Sequence, residues 1–423
     1  MIIDRPQMRE SGSETTVEAA VKLEHSDAAY PATLWFTFPQ RLAEFVTDRA
    51  DGFAVALLPL AMRLGESVTI HGELSYRLAH GMRDYQRIQS EWKPGFFRQV
   101  EIFGDDLLSR NRAEGSGAVG AAFSGGIDSF HTLWTHLAEN EPYPPFRVTH
   151  CLMINGFDLD ADLSNTGSFL RMQRLYEPMM RRLGVEFVVV RTNLLQFLGV
   201  HIQKQAFAAF ITAPALVLGR LFSRYYVSSG CKFTTLGMYP DGSSLMFDHL
   251  LGTETMEVSH EGAHLTRVEK TVAISRWPET FDRLRVCFRA TGVQEERNAI
   301  ANCCACEKCV RTMMTLDVAG ALENYRCFSK PLKRRNIRRL EYGDAACRAI
   351  AEEILAYARQ KCRKDVVRDL RWAIVLSVLY RTRMRELMLA SHELEQRSAR
   401  WAAIARPTKR LMKRMGLGRG WLY

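Results

Sequence analysis

The chain has 423 residues, a net charge of +10, 47% hydrophobic and 25% charged residues, the make-up of a globular protein with room for two or three domains and a large core. No run of about 18 uninterrupted apolar residues occurs, which excludes a hydrophobic membrane-spanning helix. The start Met1-Ile2-Ile3-Asp4-Arg5-Pro6 lacks the basic-then-apolar order of a secretory signal, so the expected compartment is the cytoplasm. The positive charge is local: residues 361–423 carry 16 Lys/Arg against 5 Asp/Glu, leaving the rest close to neutral.

Residues 1–16 are polar and expected to be mobile. Strand patterns at 17–24, 33–38, 67–70 and 97–102, a short helix at 41–46 and a helix at 75–90 make an α+β accessory module over 17–104. It holds no cluster of His, Cys or Asp, and its expected role is packing or a platform. Residues 105–117 read as a linker. From Ala118 the pattern changes to alternating strands (118–123, 148–154, 186–191, 225–227, 256–258) and helices (130–137, 165–183, 201–222). That alternation predicts an α/β fold, a doubly wound parallel sheet over 118–286, with ligands beyond the carboxyl ends of its strands.

The first of these strands runs into Ser124-Gly125-Gly126-Ile127-Asp128-Ser129. A strand, a turn with two glycines and a helix start direct backbone N–H groups and a helix N-terminus at a phosphate, and two serines add donors. Asp128 would repel that phosphate unless a cation stood between them, so Asp128 is read as a Mg²⁺ contact. No Walker A lysine follows. The string resembles the PP-loop of ATP pyrophosphatases, which split ATP into AMP and pyrophosphate. ATP is then the expected nucleotide, and polar residues at the neighbouring strand ends are candidates to hold it or its co-substrate. They are Asn155, Thr192 and Asn193 for the nucleotide, Ser228, Ser229 and Gly230 for the substrate, and Asp158 without an assigned part. Each type also suits a turn or cap.

Residues 231–255 form a long Gly/Ser-bearing loop, read as a lid, a substrate loop or a surface excursion. Next, Thr266 and Glu269 have the spacing of a capping box. Arg267 and Lys270 then fall in the first helical turn, where cations oppose the helix dipole. They either recruit an anion, such as pyrophosphate, as catalytic residues beside Asp128, or pair with Glu254 and Glu269.

Cys303, Cys306 and Cys309 are spaced by two residues, so a knuckle turn can aim their sulfurs at one ion about 2.3 Å away. Cys287 supplies the fourth ligand; Cys304 competes but points elsewhere as a sequence neighbour. A closed Cys₄ site over 287–322 is structural, holding Zn²⁺ or, with the same ligands, an iron–sulfur cluster. A PP-loop followed by an isolated Cys and Cys-x-x-Cys-x-x-Cys resembles the 7-cyano-7-deazaguanine synthase family over residues 118–320. That resemblance implies ATP-driven adenylation of a carboxylate and displacement of AMP by ammonia or an amine. It maps the family's Thr-Lys-x-Glu helix start onto Thr266-Arg267-Val268-Glu269, with Arg in place of Lys, and its zinc ligands onto Cys287, Cys303, Cys306 and Cys309. The family's members are about half this length and lack the N-terminal module and basic tail, which leaves the substrate open. Longer relatives attach a deazapurine to protein, and a small-molecule carboxylate with a protein or RNA acceptor would suit the extra regions.

Residues 323–423 read as helical and basic, with helices at 344–359, 366–380 and 386–403, and a tail at 407–415 whose basic pairs suit nucleic acid, an anionic membrane or plain solvation. The function expected from the sequence is that of an adenylating enzyme, and a homo-oligomer is expected. The alternatives are a tRNA-thiolating enzyme using Cys151 or Cys231, and a nucleotide-binding scaffold without turnover.

Overall fold

A computed structural model describes residues 1–24, 30–108, 116–157, 167–236, 241–287, 293–340, 342 and 345–377. The chain divides into two compact units, Met1–Cys303 with Ala321–Ser329, and Cys304–Gly320 with Lys330–Tyr423.

In the first unit the elements run β1 (Ile2–Ile3), β2 (Gln7–Ser11), β3 (Glu14–Lys22), β4 (Thr33–Pro39), α1 (Asp51–Leu64), β5 (Val68–Ser75), α2 (Tyr76–Trp92) and β6 (Ile102–Leu108). They continue as β7 (Ala118–Ala122), α3 (Ile127–Thr135), β8 (His150–Asn155), α4 (Gly167–Arg182), β9 (Glu186–Thr192), α5 (Leu194–Gln205), α6 (Phe207–Val217), β10 (Phe222–Ser228), the short α7 (Phe233–Leu236), β11 (Glu257–Glu261) and α8 (Arg267–Ile274). Among the described residues, eleven strands join in one sheet, ordered β11-β10-β7-β8-β9-β4-β3-β1-β5-β6, with β2 added against β3.

The five strands β11 to β9 are mutually parallel, as the strand–helix alternation predicts. β7 lies in their middle. The chain leaves it for β8 and β9 on one side and returns through β10 and β11 on the other, so the winding reverses between β7 and β10. At such a reversal the helices leave toward opposite faces and open a crevice at the strands' carboxyl ends.

The N-terminal segment extends this sheet. Strand β4 pairs antiparallel with β9, Phe36 opposite Thr192 and Thr37 opposite Arg191. Strand β3 alternates in burial, with Val17, Ala19 and Val21 inward. Residues 1–16, expected to be mobile, instead form β1 and β2. Met1 and Ile3 are buried there, and the chain's amino group donates to the Ser67 carbonyl at 2.8 Å. The apolar run 53–62, which shows no useful periodicity, is α1, buried on all sides. One apolar core holds Phe36 and Phe53 together with Val190 and Phe210.

Three expected boundaries move. The strand expected at 97–102 lies at β6, so the first residues of the expected linker are strand, while 109–115 lie outside the described residues. The single helix expected at 201–222 is two, broken at Ala206 (φ −145°, ψ 38°), and its last residue already starts β10. The break admits the long loop: Ala208 N–H donates to the Gly242 carbonyl at 3.0 Å, and Lys93 Nζ donates to the carbonyls of Gln205 and Asp241. Residues 241–255 of that loop are no exposed lid. Phe247 is buried edge-on against Tyr85 and Trp92, and buried Asp248 accepts from Ser243 Oγ and Ser244 N–H. Apolar and self-paired side chains make this stretch part of the core; 237–240 lie outside the described residues.

The second unit contains α9 (Glu307–Val318), α10 (Arg334–Arg338), α11 (Ala345–Gln360) and a helix over 364–377. The expected helix at 386–403 and the basic tail at 407–415 lie outside the described residues. No helix among the described residues is long and apolar enough to cross a membrane.

Candidate functional site

The Ser-Gly-Gly turn leaves β7 at the reversal point and caps α3. Gly125 has φ +73°, and a Cβ there would lie 2.0 Å from Tyr176 Oη, so only glycine fits. Gly126, the N-cap of α3, is extended (φ −85°, ψ 173°). The turn is tied from both sides. Ser124 N–H donates to Ser129 Oγ at 3.3 Å, Ser129 Oγ donates to the Gly126 carbonyl at 3.1 Å, and Gly126 N–H donates to Ser124 Oγ at 3.3 Å. Arg285, buried and two residues before Cys287, takes both turn carbonyls: its N–H donates to Gly125 O at 2.7 Å and its Nε to Ser124 O at 3.1 Å. With those carbonyls engaged, the turn presents the N-terminus of α3, where a helix leaves N–H groups without intrahelical partners.

Asp128 stands in that first turn. Arg267, first residue of α8, reaches it at 2.7 Å, and Lys270 Nζ lies 3.9 Å from its Oδ1. Thr266 and Glu269 form the expected capping box, with Glu269 N–H donating to Thr266 Oγ1 and Thr266 N–H to the Glu269 carboxylate. Glu269 is thereby engaged, and Glu254 accepts from Arg77 N–H. The two cations therefore converge on Asp128 rather than on the glutamates considered from the sequence. Asp128 Oδ1 is buried and has no hydrogen-bond partner among the described residues, which makes it an oxygen of this site suited to a cation.

Lys270 is 1% exposed, and its Nζ donates to the Ser229 carbonyl at 2.6 Å. Burial lowers its pKa, an effect that Asp128 opposes. His131 lies one turn after Asp128 on the same face of α3. Burial, and then the charge of Lys270, push its pKa down to about 4, so the imidazole is neutral at pH 7. Its Nδ1 has no hydrogen-bond partner among the described residues. Glu261, at the end of β11, would be raised by burial, but His136, whose Nε2 stands 3.6 Å away, holds its carboxyl below the usual range.

The substrate candidates lie at this crevice. Ser228 Oγ pairs with Thr132 Oγ1 at 2.9 Å, tying β10 to α3, and Ser229 N–H donates to the Glu261 carbonyl at 2.8 Å. A Cβ at Gly230 would meet nothing within 4 Å. Asn155 ends β8, next to β7, buried and with Oδ1 unpartnered among the described residues. Thr192 and Asn193 are two strands from the turn. Thr192 Oγ1 accepts from Leu194 N–H, while Asn193 accepts from Trp35 N–H at 3.0 Å and donates to the Thr33 carbonyl at 2.8 Å. Both polar ends of Asn193 thus hold strand β4. Asp158 lies outside the described residues.

Three contributors were missed in the sequence. His131 was findable, because its i+3 spacing from Asp128 places both on one helical face. Arg285 and Tyr176 carry no local signal; only folding brings them to the turn.

The sulfurs of Cys287, Cys303, Cys306 and Cys309 all lie within 4.8 Å of one another, a set that could hold a metal ion such as zinc. Cys304 is not part of it and sits at φ +57°. Four convergent thiols with no carboxylate or histidine suit a soft ion in a closed, structural site.

Comparisons with protein-family models, curated proteins and solved structures return no match to this chain.

Proposed function

We propose that the chain is an ATP-dependent adenylating enzyme of the PP-loop kind, which releases AMP and pyrophosphate and activates a carboxylate for C–N bond formation. The observation that carries this reading is the convergence on one crevice of the Ser124–Ser129 turn, the N-terminus of α3, and two cations, Arg267 and Lys270.

In this reading the turn and the α3 N-terminus hold the nucleotide phosphates. Arg267 and Lys270 offset the charge that develops on pyrophosphate as the substrate carboxylate attacks the α-phosphorus and the bond to the leaving pyrophosphate breaks. Asp128 Oδ1 would hold Mg²⁺, which would neutralise the same charge. Asn155, Ser228, Ser229 and Gly230 would receive adenosine and acid, and an amine or ammonia then displaces AMP from the acyl-adenylate. The cysteine set would hold structural Zn²⁺. A deazaguanine carboxylate is the first acid to try, with the free amine or a protein or RNA as acceptor.

The test is product analysis with labelled ATP, the purified protein and 7-carboxy-7-deazaguanine. AMP should appear in an acid-dependent manner, and Asp128→Ala or Arg267→Ala should lower the rate by about a hundredfold or more. Release of ADP, or full activity in Asp128→Ala, refutes the proposal. Tight ATP binding without AMP under every acid and acceptor would mark a scaffold instead.

A second reading, thiolation of tRNA, now rests on one thiol. Cys151 is wholly buried in β8, and burial pushes its thiol far up, so it cannot serve as the nucleophile. Cys231 is half-buried at the crevice, its carbonyl accepting from Ser229 Oγ at 2.6 Å. Loss of sulfur transfer in Cys231→Ser would favour that reading.

A further inference from the structure

In the second unit, α11 and the helix over 364–377 meet at a turn in which Cys362 has φ +54°. Between them lies a cavity of about 760 Å³. Among the described residues, six cationic side chains line it, Arg338, Arg359, Arg363, Lys364, Arg368 and Arg371, and no carboxylate does. Its apolar wall is Ala358 and Val367, with Trp372 and Val375 at 55% and 53% exposure.

The cations are ordered from behind. Asp369 is 1% exposed and receives Arg334 and Arg338 at 2.7 Å each and Arg368 at 3.5 Å. Chiefly through its bond with Arg334, its carboxyl is held far below the ordinary range, so it stays ionised and keeps the guanidiniums in place. Arg363 is held by Asp317 and Asp365. Arg359, Lys364 and Arg371 are exposed and form no ion pair among the described residues. One buried acid thus orders a cluster of several cations, and three more stand ready for anions.

We propose that this cavity binds single-stranded nucleic acid, with phosphates on Arg359, Lys364 and Arg371 and a base stacked on Trp372. Planar guanidiniums next to an exposed indole over an apolar wall suit a sugar–phosphate chain with an unstacked base. A membrane surface would call for apolar residues on a ridge, whereas Trp372 and Val375 line a concavity. The surrounding sequence has the matching sign, with 16 Lys/Arg against 5 Asp/Glu over 361–423. The inference does not depend on the catalytic reading.

The test uses the full chain and a fluorescein-labelled, mixed-sequence single-stranded RNA of about 20 nucleotides, followed by anisotropy between about 50 and 200 mM salt. Arg359→Ala/Lys364→Ala/Arg371→Ala should weaken binding at least tenfold and reduce the salt slope by about two, the share of three phosphate contacts on a single strand. Trp372→Ala should weaken it about five- to hundredfold with little change in slope, and Trp372→Phe should restore most of that loss. All four side chains are exposed, and unchanged circular dichroism serves as the folding check. Absence of binding at the low salt, or unchanged affinity in both variants, overturns the proposal; the second result would place RNA binding elsewhere in the chain. Equal loss by the variants of binding to equimolar phosphatidylcholine–phosphatidylserine vesicles, with RNA affinity intact, overturns it in favour of a membrane.

Discussion

Two adjacent glycines in the Ser124–Ser129 turn should respond very differently to the same methyl group. At Gly125 an alanine must adopt φ +73°, which costs about 1–2 kcal/mol. Its Cβ would lie 2.0 Å from Tyr176 Oη and 2.7 Å from Cζ, so the ring must retreat. Such overpacking adds roughly 1–3 kcal/mol. The retreat also breaks the 2.9 Å bond from Tyr176 Oη to the Arg283 carbonyl, about 1 kcal/mol more. The sum for Gly125→Ala is roughly 3–6 kcal/mol. At Gly126 the backbone is extended, and a Cβ would meet Ser124 Oγ at 3.3 Å and the Arg285 carbonyl at 3.6 Å, so Gly126→Ala should cost under about 1 kcal/mol. Urea unfolding followed by circular dichroism gives both numbers from the midpoint shift at constant slope. In a Tyr176→Phe background, which removes the atom at 2.0 Å, the cost of Gly125→Ala should fall by about 1 kcal/mol or more. Equal shifts for the two alanines, or no relief from Tyr176→Phe, would show that Tyr176 does not set the turn.

His131 has a folded-state pKa of about 4 against an ordinary 6.5. Between those values the unfolded chain binds more protons, so stability falls as the pH drops through this window. His131→Gln should remove roughly 2–3 kcal/mol of the decline between pH 7 and pH 4.5, read from urea midpoints; an unchanged pH profile would mean the imidazole is solvated. The cysteine set should bring about one zinc per chain through purification, and Cys306→Ser should lose most of it by elemental analysis; stoichiometric iron and sulfide would replace zinc by a cluster. Asn193→Ala should destabilise the fold by about 1–3 kcal/mol by leaving Trp35 N–H and the Thr33 carbonyl unpaired, while changing the KM for ATP little; a large KM effect with intact stability would return Asn193 to the nucleotide site.

The parts of this protein legible in its sequence are those set by neighbouring residues. Strand–helix alternation after Ala118 foretold the parallel strands, and the capping box at Thr266 formed as spaced. The thiols of Cys303, Cys306 and Cys309 converge because two-residue gaps already bring them round one turn. What failed was set by distant partners. Residues 1–16 look like a polar terminus, yet β1 and β2 pair with β3 and β5, to which no local pattern points. Residues 231–255 look like a loop because Gly, Pro, Asp and Ser punctuate them, but Phe247 and Asp248 find a buried niche beside Tyr85. Asn193 looks like a strand-end ligand residue and is drawn into holding β4, since an amide satisfies whichever backbone groups the fold places beside it.

The sequence alone therefore determined a glycine turn between strand and helix on an α/β frame and a set of thiols. Only the tertiary structure decided that the turn sits where the winding reverses and that Arg285 holds its carbonyls. It also decided that Arg267 and Lys270, about 140 residues downstream, face Asp128. Spacing along a chain specifies contacts within a few turns, whereas the order of strands in a sheet is chosen by burial of whole faces.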